Sequence, residues 1–236
     1  KSEKKKTFLL ITILFLTSSL TLKTFKKVNF QDLTIYGSEL FSAEDITNNS
    51  SLNLPTPLIF VKTKYTEKEL KKNLSLENVS VNRQILPFGL KIIIKTRTPV
   101  AYGERLLKGK KTSGFIDKDG FFIEKKYSDR NNLNNFSIKV FGWKENFRNT
   151  LSKILTSQNN SEVELIAINF SPNGFLTLEE KSLKTILLGY DPKIIETQLK
   201  IIRNIKNQLE GGNILEKIDN IDITDPNNPK IKVFKP

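Results

Sequence analysis

The clearest pattern along the chain is an uninterrupted apolar run, Phe8 to Leu22. It carries no charge and is bounded by Lys4, Lys5 and Lys6 on one side and by Lys23, Lys26 and Lys27 on the other. As a helix, this stretch covers about 22 Å, short of the roughly 30 Å of a bilayer's hydrocarbon core. Extension to Phe25, with Lys6 and Lys23 snorkelling, closes much of the gap. A cleavable signal peptide would want a small-x-small site, and SSLTLKTF offers a poor one. The expected element is a single transmembrane helix over 7–25. The trimmed tail 1–6 stays in the cytoplasm, and the rest of the chain lies outside it.

Beyond the run the periodicity changes. Asp32–Tyr36 reads as a strand that ends at Gly37. FSAEDI reads as a helix start, with Ser42 at the N-cap, Asp45 at N3, and Phe41 and Ile46 as a staple. TEKE repeats this pattern: Thr66 and Glu69 are expected as a capping box, Tyr65 and Leu70 as its staple, and Lys71 and Lys72 in the last turn. Val79, Val81 and Ile85 alternate with polar residues, as do Leu90, Ile92 and Ile94 after the turn Pro87-Phe88-Gly89. The order is β-α-α-β-β.

The remainder reads as strand-rich with two helices. A basic loop spans 105–111, and DKDG at 117–120 is a hairpin turn between Phe115-Ile116 and Phe121–Ile123. Phe136–Phe141 reads as a strand. Trp143, Phe147, Leu151 and Leu155 recur every four residues and predict a helix from Trp143. Val163–Phe170, Phe175–Leu178 and Leu183–Leu188 read as strands. Asp191-Pro192 opens a helix lined by Ile195, Leu199, Ile202 and Leu209, which Gly211-Gly212 ends. Ile218, Ile221 and Ile223 form a strand, and Ile231–Phe234 the last one.

Composition narrows the chemistry. The 236 residues contain no Cys, His or Met. Disulfides, thiolate nucleophiles, a Ser-His-Asp triad and an H-E-x-x-H metal site are therefore excluded. The net charge is +13, and residues 1–30 hold seven Lys against one Glu. That concentration marks a membrane flank rather than a nucleic-acid groove.

A family resemblance lies in 81–120. Val81-Asn82-Arg83, Pro87, Leu90–Ile94, Thr96-Arg97-Thr98-Pro99-Val100-Ala101 and Ile116-Asp117-Lys118-Asp119-Gly120 follow one another in order. This series resembles the bacterial division family FtsQ/DivIB. Thr96 stands where that family commonly has Glu, and Leu86 where an aromatic often precedes the proline. The later Trp-led helix, the long helix and the closing Ile221-Asp222 through Pro229 fit the same pattern. The resemblance implies an α+β chain: the membrane helix, a POTRA domain over 26–100, and a mixed β-domain with two helices over 101–236. It marks Arg83, Pro87, Arg97, Pro99, Ala101, Asp117 and Gly120 as motif positions.

The same resemblance implies a non-enzymatic scaffold of septum assembly in the inner membrane, without cofactor, metal, nucleic acid or small-molecule substrate. Its partners would be bitopic coiled-coil division proteins (FtsB/FtsL-like). Ile231, Lys232, Val233 and Phe234 are the candidate partner site, because a terminal edge strand can accept another chain's strand. Burial of Val233 and Phe234 in the core is the competing expectation.

Several of these features admit a second reading. Arg97 could contact a partner or simply sit on a strand. Asp117–Gly120 begins like a calcium loop, but position 12 of that loop would be Ser128, so a turn is expected. The basic loop could bind phosphate or anionic lipid, against a solvated loop. Asn78-Val79-Ser80 and similar triplets are expected by chance in an Asn-rich chain. A Ser–Lys dyad has no supporting motif. The alternative functions are a POTRA-containing outer-membrane assembly or secretion component, a membrane-tethered hydrolase, and a tethered nucleic-acid binder.

Overall fold

The computed structural model describes residues 8, 10–14, 25–107, 109–128, 136–158, 163–209 and 215–234. Residues 8 and 10–14 are helical and expose their apolar side chains. The rest of the expected membrane helix over 7–25 lies outside the described residues, apart from Phe25, and so do the tail 1–6 and Gly211-Gly212. Among the described residues no helix is long and apolar enough to cross a membrane. From there the chain divides into two compact units, Lys1–Arg97 and Thr98–Pro236.

In the first unit, β1 (Lys27–Val28) pairs antiparallel with β3 (Thr56–Pro57) as a short ribbon. The main sheet has β5 (Gly89–Lys95) at its centre, parallel to β2 (Leu33–Tyr36) and antiparallel to β4 (Asn78–Gln84). Helices α1 (Ala43–Asn48) and α2 (Thr63–Asn73) lie between β2 and β4 in the chain, which gives the expected β-α-α-β-β order. The alternation in β4 and β5 buries Val79, Val81, Leu90, Ile92 and Ile94, together with Ile46, Leu58 and Leu70.

The two helix starts differ. Ser42 Oγ accepts from Asp45 N at 3.1 Å, and Asp45 Oδ2 accepts from Ser42 N at 3.0 Å, so the first capping box forms. Phe41 and Ile46 are both buried. The second does not form. Helix α2 starts at Thr63, with Lys62 as its N-cap. Thr66 Oγ1 donates to Lys62 O inside the first turn, and Glu69 Oε2 accepts from Ser51 N at 2.7 Å. Tyr65 stays exposed instead of closing a staple. Both cap residues are taken by bonds that lie one turn or one loop away. Lys71 and Lys72 do occupy the last turn, where they complement the helix dipole.

The second unit is built on one nine-stranded sheet, ordered β14-β13-β12-β11-β10-β9-β6-β7-β8. The strands are β6 (Pro99–Leu107), β7 (Lys110–Asp117), β8 (Phe122–Glu124), β9 (Lys139–Trp143), β10 (Leu165–Phe170), β11 (Leu176–Glu180), β12 (Lys184–Gly189), β13 (Ile218–Asp222) and β14 (Lys230–Val233). Helix α3 (Arg148–Gln158) connects β9 to the parallel β10, and α4 (Ile195–Leu209) connects β12 to the parallel β13. Parallel neighbours need such crossovers. Leu151, Ile154 and Leu155 of α3 and Ile195, Ile202 and Ile205 of α4 share one core with Ile168, Leu178, Ile186 and Ile221 of the sheet.

Three expectations need correction here. The basic stretch 105–111 is no open loop: β6 runs to Leu107, β7 begins at Lys110, and Leu107 pairs with Lys110. Trp143 does not open a helix but ends β9. Its indole Nε1 donates to Gly120 O at 2.8 Å and its ring packs on Phe122 at 5.4 Å. Phe147 stacks on Phe170 at 4.6 Å, and α3 follows it. The four-residue spacing there reflects two separate tertiary contacts. At the third site Asp191 Oδ1 accepts from Lys193 N at 2.9 Å, closing a turn, and the helix begins at Ile195 rather than at Pro192.

Candidate functional site: the terminal edge of the sheet

The strand β14 closes one end of the nine-stranded sheet. It pairs antiparallel with β13 through Asp222↔Lys230, Ile221↔Ile231, Asn220↔Lys232 and, past an irregularity, Ile218↔Val233. Among the described residues its other edge pairs with no strand. All four residues are exposed, and so is Phe234: Ile231 by 44%, Val233 by 47% and Phe234 by 59%. Val233 and Phe234 therefore do not close the core, which was the competing expectation.

The hydrogen-bond phase of this strand can be read from its last rung. Phe234 N donates inward to Lys217 O at 2.9 Å. Backbone groups alternate along an extended strand, so Lys232 N–H also faces β13. The N–H and C=O groups of Ile231 and Val233 face outward. The edge thus offers two outward donor–acceptor residues flanked by apolar side chains, the arrangement that accepts an added strand.

A stiff turn presents it. Asp222 Oδ1 accepts from Thr224 N at 2.9 Å and from Thr224 Oγ1 at 2.7 Å. These two bonds, the side-chain one foremost, hold the Asp222 carboxyl below its ordinary value against a small opposing effect of burial, with Lys230 adding attraction. Asp225 continues the turn by accepting from Asn227 N at 3.0 Å. Lys232 Nζ, itself exposed, stands 3.5 Å from the half-buried Asp219 Oδ2, a surface pair that contributes little to stability.

The motif residues fall elsewhere and serve the fold. Arg83 Nη2 donates to Val61 O at 2.6 Å, tying β4 to the chain entering α2. Pro87 sits in the β4–β5 turn, which ends at Gly89 (φ +145). A Cβ at Gly89 would collide with the Asp32 carbonyl. Arg97 Nε donates to Ser75 O at 3.0 Å, which holds the end of β5 against the loop after α2. Pro99 opens β6 opposite Asp117, and Ala101 is fully buried beside Ile116.

Asp117 is buried at the β7–β8 turn, where its Oδ1 accepts from Asp119 N at 3.0 Å and Phe121 N at 2.7 Å. Those bonds occupy the carboxylate as a turn residue. Gly120, at φ +77, brings its backbone against Arg148 O and offers its own carbonyl to Trp143. Arg83, Pro87 and Arg97 serve separate turns and strand ends of the first unit, and Pro99, Ala101, Asp117 and Gly120 belong to the second. Among the described residues no group of three or more Asp or Glu side chains could hold a metal ion.

Residues 28–97 match the family model described as "POTRA domain, FtsQ-type". The chain carries an FtsQ-type POTRA domain. The match ends at Arg97, the last residue of the first compact unit. It supports the FtsQ/DivIB assignment over the part of the motif series that lies within it, Val81 to Arg97. An FtsQ-type POTRA domain points to a role in cell division and to interaction with other division proteins. Among curated proteins none matches the chain significantly.

Proposed function

We propose that the protein is a non-enzymatic, membrane-anchored scaffold of the bacterial division machinery. Residues 7–25 hold it in the inner membrane at the septum, and the two units, read as a POTRA domain and a division-type β-domain, lie outside the cytoplasm. The observation that carries the reading is the FtsQ-type POTRA match, with the exposed edge of β14 as the contact it makes available. Small bitopic coiled-coil division proteins of the FtsB/FtsL kind would add a strand along Ile231–Phe234. Main-chain hydrogen bonds would give affinity, and the alternating Ile231 and Val233 against Lys232 and Phe234 would give selectivity.

The test is depletion of the protein in its native bacterium. Long filaments with continued growth and segregated chromosomes are the expected result. Normal cell length with a leaky, protein-poor outer membrane would overturn the reading in favour of outer-membrane assembly.

A further inference from the structure

The β6–β7 hairpin is longer than its neighbours need. Strand β9 pairs with β6 only as far as Arg105↔Trp143, and β8 pairs with β7 only from Gly114↔Glu124 onward. The rungs Leu106↔Lys111 and Leu107↔Lys110 therefore extend beyond both flanking strands. They form the end of a two-stranded arm. Among the described residues no atom lies within 4 Å of the place a Cβ would take at Gly109, in the turn at the arm's tip.

The arm's chemistry is unusual for a solvated loop. Leu106 is 65% exposed and Leu107 47%. Each is paired across the hairpin with a lysine, and side chains alternate in direction, so each face of the arm carries one leucine and one lysine. The sequence holds no acidic residue from Arg105 to Ile116. Arg105 itself is engaged: it pairs with Glu124 at 3.1 Å and stacks on Phe122 at 4.1 Å. Leucines and lysines alternating around a projecting tip match an anionic bilayer surface. The leucines can enter the acyl boundary while the lysine stems run up to the headgroups.

We propose that this arm is a second membrane contact, in which Leu106 and Leu107 dip into an anionic lipid surface and Lys110 and Lys111 bind its headgroups. The inference rests on the anchored reading above, since a chain tethered by residues 7–25 meets that surface at high effective concentration. Leu106 and Lys111 border a groove with Phe141, Trp143 and Pro172, while Leu107 and Lys110 stand on the opposite face of the arm. A bilayer is favoured over an acidic protein segment because a segment seated in that groove would leave Leu107 and Lys110 unused.

The chain has no cysteine, so single nitroxide labels are unambiguous. The full chain is reconstituted into phosphatidylcholine vesicles with or without about 30 mol % phosphatidylglycerol. Labels at Leu14→Cys, Leu107→Cys and Asn227→Cys are read by oxygen and nickel-chelate accessibility. Residue 107 is expected to become lipid-exposed in the anionic vesicles while 227 stays in water. The double variant K110Q/K111Q is expected to lower the inserted population about 25-fold, since each lysine near an anionic surface is worth about fivefold.

Residue 107 remaining in water while residue 14 is in lipid would overturn the arm proposal and leave the anchor standing. Residue 14 in water would overturn the anchor reading itself. Insertion of residue 107 that ignores phosphatidylglycerol and survives K110Q/K111Q would refute the headgroup role. Protection of residue 107 by polyglutamate but not by anionic vesicles would overturn the proposal in favour of an acidic protein partner.

Discussion

Lys206 Nζ lies 2.9 Å from Glu180 Oε1, an ion pair sealed inside the second unit with side-chain exposures of 8% and 0%. The same carboxylate accepts three backbone N–H groups: from Leu183 at 2.7 Å, Ser182 at 2.6 Å and Glu164 at 3.0 Å. The pair joins the last turn of α4 to the end of β11, and the amides join β11 to the next turn and to the entry of β10. Breaking a buried pair leaves a charge without compensation and costs about 3–5 kcal/mol. Glu180→Ala is expected to destabilise the protein by that much. Lys206→Met is expected to cost less, because the three amides still hold the carboxylate. Guanidinium unfolding midpoints of the two variants check the order; equal losses would show that the ammonium, not the amides, carries the site.

The same carboxylate predicts acid sensitivity. Burial alone would raise the Glu180 carboxyl; the amide of Leu183, the Lys206 ammonium, and the amides of Ser182 and Glu164 outweigh it and hold it below its ordinary value. A folded-state value below the unfolded one contributes stability that is complete above the unfolded value, about 4.3, and is lost as pH falls through the folded value. Stability should therefore drop with decreasing pH below about 4.3, and Glu180→Gln should flatten that drop. Urea unfolding of both proteins between about pH 3 and pH 6 checks it.

Trp143 offers a second anchor to test. Its indole N–H donates to Gly120 O at 2.8 Å, binding the end of β9 to the β7–β8 turn. Trp143→Phe keeps an aromatic ring beside Phe122 but leaves the Gly120 carbonyl without that donor. An unfulfilled buried acceptor costs about 1–3 kcal/mol. The variant is expected to lose that much in thermal unfolding. A loss near zero would mean that water replaces the indole.

How far the sequence foretold this depends on where each residue finds its partner. Ser42 and Asp45 are three residues apart and meet in the box their spacing predicts. Asp117 and Gly120 form the turn their types demand. The alternations of β4 and β5 are legible because one face of each is buried. Thr66 and Glu69 have the same local pattern as Ser42 and Asp45. Glu69 nevertheless bonds to Ser51, 18 residues away, and no local rule reveals that. Trp143 and Phe147 mimic a helical face because each answers to a different distant partner. The Glu180–Lys206 pair spans 26 residues and has no signal in sequence at all. The β14 edge was legible in part: alternation and terminal position suggested a strand, while its place at the sheet's end follows from the β12–α4–β13 crossover that precedes it.

The edge makes the sharpest prediction, because neighbouring positions should answer differently to the same substitution. Val233 N–H faces outward and makes no ladder bond to β13, so Val233→Pro removes a donor that only an added strand would use. Its backbone is already extended, which proline tolerates on a sheet edge. Lys232 N–H faces β13, so Lys232→Pro removes a ladder bond within the fold. Val233→Pro is expected to leave the unfolding midpoint within about 1 kcal/mol of the parent while weakening the division-partner complex at least about tenfold, since it loses one main-chain bond and places a ring in the seam. Lys232→Pro is expected to lower both stability and binding. Purified full-length chain in detergent, titrated with the partner's extracytoplasmic segment and unfolded in parallel, separates the two effects. Parent-like affinity in Val233→Pro would show that the partner does not use this edge, whatever Lys232→Pro does.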